Sequence, residues 1–84
     1  MNKNFAISNA MTVFLHVANF WSENYITMST GKFNAQLIIH AENDRAPLDR
    51  IWKDLTTMVT GEIEQEINYY KENDFYAMIL TWNF

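Results

Sequence analysis

Apolar residues in this chain recur at helical spacing in two stretches and alternate in two others. The longest periodic stretch is 47–73, where Leu48, Ile51, Trp52, Leu55, Met58, Val59, Ile63, Ile67 and Tyr70 succeed one another in steps of three and four. That spacing predicts one long amphipathic helix. Pro47 fits the first helical position, where its missing N–H costs nothing, and Asp49 lies in the first turn, where the helix dipole favours a negative charge. Asn73 and Asp74 supply a stop signal. Gly61 interrupts the pattern: the apolar stripe before it and the stripe after it are rotated by about a quarter turn. A bend at Thr60-Gly61 accommodates that drift, as does close approach of another backbone to the glycine.

Nearer the start, Ala10, Val13, Phe14, Val17, Phe20 and Trp21 share a helical face, which Tyr25 and Met28 extend, and Ser8 offers an N-cap. This pattern predicts a helix over 9–22. A strand over 10–17 competes, because Met11, Val13, Leu15 and Val17 also alternate, but only the helix keeps Phe20 and Trp21 on the buried side. Segments 25–29 and 33–41 read as an antiparallel hairpin around Gly31, a residue free to take positive φ. In the second of these, Phe33, Ala35, Leu37, Ile39 and Ala41 line one face, with Asn34, Gln36, Ile38 and His40 on the other. The segment ENDRA is a turn, and Phe75, Ala77, Ile79 and Thr81 alternate with Tyr76, Met78, Leu80 and Trp82 as a well-buried last strand.

The expected architecture is a two-layer α+β domain over residues 1–84, in the order α-β-β-α-β. It holds a sheet of about three strands against a long amphipathic C-terminal helix and a shorter N-terminal one. Neither sheet edge carries proline or dense lysine, so a homodimer through an edge is one expectation.

Composition narrows the class. Eighty-four residues hold one core, and 49% apolar content with six Phe, four Tyr and three Trp is enough to build it. Cysteine is absent, which excludes disulfides and thiolate metal sites. The apolar run over 10–21 is broken by Thr12, His16 and Asn19, and no stretch approaches the ~20 apolar residues of a membrane span. A cytoplasmic protein is expected, in the host cytoplasm if the source is viral.

Charge is the feature that points outward. The net charge of −4 argues against direct binding of a phosphate backbone. Residues 1–41 carry +1 and residues 42–53 balance, whereas 54–74 carry −5, with Lys71 as the lone cation. Read as a helix, Glu62 and Glu66 share a face and Glu64 points elsewhere. Chemistry is poorly supplied. His16 and His40 have no nucleophile or carboxylate at a motif spacing, Gly31 and Gly61 are too far apart for a phosphate loop, and the glutamate pair lacks a third ligand for a divalent cation. No enzyme activity, cofactor or metal is expected.

The chain also holds more Trp and Tyr than a small core encloses, and partly exposed aromatics often carry interface energy. Glu62, Glu64, Glu66, Tyr69, Tyr70, Glu72 and Asp74 are accordingly the candidate partner-binding residues. They suit a protein partner with a basic surface. The sharpest reading is an inhibitor of phage or mobile-element type, in the manner of an anti-CRISPR or anti-restriction protein, that occludes a basic surface of a nucleic-acid-processing enzyme. Two alternatives stand beside it: a homodimeric structural or regulatory module such as an antitoxin-like protein, and an acidic face that only solvates the molecule.

Overall fold

The side-chain oxygen of Asn2 accepts hydrogen bonds from the backbone N–H groups of Asn4 at 2.8 Å and Phe5 at 3.2 Å, and so caps the first helix. The computed structural model describes residues 2–21 and 25–84. Helix α1 spans Lys3–Phe20, which moves its start well ahead of the expected cap at Ser8; the expected end at residue 22 lies outside the described residues. Its buried face is Ala6, Ala10, Val13 and Val17, spaced four, three and four. Phe20, expected on that face, is 76% exposed, since the stripe turns away from the core at the last turn.

Strands β1 (Ile26–Thr30) and β2 (Asn34–Glu42) form the expected antiparallel hairpin, with Met28 opposite Leu37. Strict alternation along β2 buries Ala35, Leu37, Ile39 and Ala41. Phe33 falls just outside the strand and is exposed. Gly31 is not in the positive-φ region; the left-handed residues are Asn43 (φ 60°), Gly61 (φ 85°) and Asp74 (φ 50°). Helix α2, Ala46–Leu55, begins as expected, with Pro47 in its first positions and Asp49 in its first turn. An Asp44 oxygen also accepts from the N–H of Ala46 at 2.9 Å.

The main correction concerns the segment beyond Leu55. The long C-terminal helix over 47–73 does not exist: α2 stops at Leu55, and Ile63–Tyr70 is a strand, β3, which pairs with β4 (Phe75–Asn83). The sheet therefore has four strands rather than three, all antiparallel in the order β1-β2-β4-β3, and the element order is α-β-β-α-β-β.

The physical reason is a degeneracy of spacing. Ile63 and Ile67 are four apart, which is both one helical turn and two steps of a strand, so they satisfy either period. Two local features and one long-range pairing resolve it. Thr56, Thr57 and Thr60 supply β-branching at the end of α2, and Gly61 adopts a φ that no right-handed helix contains. In addition, β4 pairs with β2 along one backbone edge, and Ile63–Tyr70 supplies the strand that pairs with the other. The quarter-turn drift of the stripe at Gly61 marks the end of one element and the start of another, not a bend.

Both helices lie on one face of the sheet. α1 packs on β1, β2 and β4, and α2 packs on β2. Trp82, Leu80 and Met78 of β4 face this layer beside Ala35, Leu37 and Ile39 and, with Leu48 and Leu55 of α2, form the buried centre. Among the described residues β3 makes its substantial packing with β4, and its Ile63 and Ile67 lie against the core.

Candidate protein-binding surface

Strand pairing dictates where each acidic residue points. Ile63, Gln65, Ile67 and Tyr69 stand opposite Trp82, Leu80, Met78 and Tyr76, and so face the helical side. Glu64, Glu66, Asn68 and Tyr70 face the other side, on which no helix packs among the described residues. Glu64 and Glu66 thus share a face, about 6.8 Å apart along the strand. This corrects the helical reading, which places Glu66 with Glu62 and sends Glu64 elsewhere. Glu62 is exposed immediately before the strand.

Among the described residues, the ion pair is Arg45–Asp49 on α2, and no cation neutralises Glu62, Glu64 or Glu66. One oxygen of Glu64 accepts from the Asn83 amide at 3.2 Å, which fixes the carboxylate while leaving its charge uncompensated.

The β3–β4 turn carries the remaining candidates. The Tyr69 hydroxyl donates to Asp74 Oδ1 at 2.7 Å, and Asp74 holds a left-handed conformation that Asp tolerates better than most residues. That hydrogen bond is the first cause of a Tyr69 pKa raised above the ordinary tyrosine value, because the phenol must keep its proton to donate; partial burial and the negative charge of Asp74 act in the same direction.

Aromatic pairs brace the turn on both faces. Tyr70 stacks on Phe75 with ring centroids 4.8 Å apart on the open face, and Tyr69 lies 4.8 Å from Tyr76 on the helical one. Tyr69 and Tyr70 remain 49% and 42% exposed, enough of each ring to contact a partner. Glu72 lies in the turn itself and is exposed.

The candidate residues therefore do not form one patch. Glu64, Glu66 and Tyr70 line the open face of β3, Tyr69 lies on the opposite face, and Glu62, Glu72 and Asp74 mark the two ends.

Residues the charge pattern did not single out complete the open face. Ile38 of β2 stands opposite Ile79 of β4, and Ala77 stands opposite His40, which together form a short apolar stripe beside the acidic strand. The signal was present in the sequence. Ile38 breaks the polar phase of β2, formed by Asn34, Gln36 and His40, and β4 is apolar in both phases.

A second feature is a cleft of about 210 Å³ between the helices, lined by His16, Phe20, Trp21, Arg50 and Asp54 among others. Among the described residues no group of three or more His, Cys, Asp or Glu converges as a metal site, and no helix is long and apolar enough to cross a membrane.

Fold and surface together define a class: a small two-layer α+β domain whose four-stranded sheet is helix-covered on one face and open on the other, with an acidic strand at one edge. Comparison with family models, curated proteins and solved structures finds no match.

Proposed function

We propose that this protein is a binding protein without chemistry of its own, whose acidic β3 strand and adjoining open sheet face seat a basic surface of a protein partner. A nucleic-acid-processing enzyme is the partner class that best meets the charge, since such enzymes carry the basic grooves that an acidic protein can occlude. The observation that carries this reading is the position of the charge. Glu64 and Glu66 are concentrated on an edge strand that the helices leave uncovered, and no cation lies within ion-pair reach among the described residues. A net charge of −4 on 84 residues suits a local plug better than a copy of a duplex, which carries a charge every ~1.7 Å of helix axis.

The test is capture from host lysate by the immobilised protein, compared with a variant carrying Glu62→Gln, Glu64→Gln and Glu66→Gln. The native protein is expected to retain a basic protein at low salt and release it as salt rises, because exposed charges separated by more than ~10 Å are screened at 0.1 M. The variant is expected to lose it. Equal capture by both proteins defeats the reading.

A second reading, a homodimeric module, draws on the apolar stripe of Ile38 and Ile79, both half-buried on the open face. A dimer built on that stripe is expected to persist at high salt in light scattering and to dissociate on Ile79→Lys.

A further inference from the structure

An edge strand offers more than charge. Its outer side presents a row of backbone N–H and C=O groups that a further strand can satisfy. β3 is the more accessible of the two edges. It has eight residues against five in β1, and α1 packs on β1 whereas no helix packs substantially on β3. β3 pairs only with β4, and the other backbone bond at this strand is the turn bond from Asn73 N–H to the Tyr70 carbonyl at 3.2 Å. No proline, bulge or lysine within Ile63–Tyr70 blocks it.

The acidic side chains decide what the edge accepts. In antiparallel self-pairing that keeps the open face continuous, residues i and j of two copies meet with i + j even. Glu66 centred on the axis meets Glu66 of the second copy. Centring on Gln65 sets Glu64 against Glu66 twice. Centring on Ile67 leaves the two Glu66 side chains only as diagonal neighbours, and centring on Asn68 sets no carboxylate of the strand directly against another. Like charges directly opposite destabilise a strand pair, so the registers centred on Gln65 and Glu66 are opposed. The carboxylates thus work against self-pairing in these registers while leaving the backbone open to a strand of opposite charge.

We infer that β3 is a strand-addition site for an extended segment of a partner bearing Lys or Arg at alternate positions. The basic side chains pair with Glu64 and Glu66 on the open face. The intervening apolar side chains lie along Ile67 and Tyr69 on the other. A strand side-chain period of two makes the order of residues, and not their composition, the determinant of binding. This inference rests on the functional reading above, to which it adds the conformation and sequence pattern of the bound segment.

The test uses the full chain and two blocked heptapeptides of identical composition, Thr-Lys-Val-Lys-Val-Lys-Thr and Lys-Lys-Lys-Val-Val-Thr-Thr. Calorimetry supplies affinity, and amide hydrogen exchange followed by NMR reports on β3. The alternating peptide is expected to bind about tenfold tighter than its isomer and to slow exchange of alternate amides within Ile63–Tyr70. A Glu64→Lys/Glu66→Lys variant, checked for fold by circular dichroism, is expected to reverse the preference and bind Thr-Glu-Val-Glu-Val-Glu-Thr instead. A Glu64→Gln/Glu66→Gln variant keeps strand-compatible side chains if the lysine variant fails to fold, and it is expected to bind neither lysine peptide measurably.

Equal binding of the two isomers without protection of β3 overturns strand addition but leaves charge-driven docking intact. No binding of either lysine peptide to the native protein also overturns strand addition. Undiminished binding to the glutamine variant removes the charge argument and the functional reading with it.

Discussion

Asn9 holds together elements that are distant in sequence, and its replacement gives the most direct test of the packing scheme. Its Oδ1 accepts from the indole Nε1 of Trp82 at 3.0 Å and from the Thr60 N–H at 3.1 Å, while its Nδ2 donates to the Met58 carbonyl at 2.9 Å. One side chain of α1 therefore ties the segment after α2 to the central strand. Trp82 is wholly buried, so Asn9→Ala strands its indole N–H, at a cost of about 1–3 kcal/mol. The two loop bonds add less, because water can reach the exposed Thr60.

A total of about 2–4 kcal/mol is expected. That is a large share of the ~4–13 kcal/mol typical of a chain this size, and it corresponds to a fall in Tm of roughly 10–25 °C. Urea denaturation followed by circular dichroism and tryptophan fluorescence reads it. In a Trp82→Phe background the stranded donor is gone, so Asn9→Ala is expected to cost about 1–3 kcal/mol less there than in the native protein. A loss below about 0.5 kcal/mol in the native background, or equal losses in both, refutes the clamp.

Single features of the structure carry further expectations. Gly61→Ala forces a Cβ onto φ 85° and is expected to cost about 1–2 kcal/mol in urea denaturation. Gly31→Ala is expected to cost less, since its φ is ordinary and the added Cβ meets the Asn34 side-chain oxygen at 3.3 Å. Leu80→Ala, at the wholly buried centre of β4, is expected to destabilise by about 2–5 kcal/mol, with a matching fall in the urea midpoint. Ultraviolet titration is expected to show Tyr69 ionising at higher pH than an ordinary tyrosine, and Asp74→Asn to bring it back. Because the folded pKa is raised, the stability linked to this bond is complete below the unfolded tyrosine pKa of ~10 and is lost as pH rises through the folded value.

Several elements could be read directly from the chain. Strict alternation over 33–41 marks β2, because a period of two over so many residues has no helical equivalent, and the short apolar, aromatic run over 75–82 after Asn73-Asp74 marks β4. Pro47 and Asp49 mark the start of α2, since both encode backbone geometry and dipole locally. The concentration of acid after Asp54 is also a property of composition alone, and it falls on the segment that became the sheet edge.

The conformation of 62–70 was not legible, and with it went the arrangement of the candidate surface. Ile63 and Ile67 fit a helix and a strand equally, and Glu, Gln and Asn between them do not separate the two. The choice was made at a distance: pairing with β2 leaves one backbone edge of β4 free, and β3 is the segment that a short turn places there. That pairing moved Glu64 beside Glu66 and divided Tyr69 from Tyr70. It also converted a solvated helix face into an open strand edge. Local periodicity and charge are encoded residue by residue, whereas an edge exists only after a sheet has chosen its strand order, and only the tertiary structure records that choice.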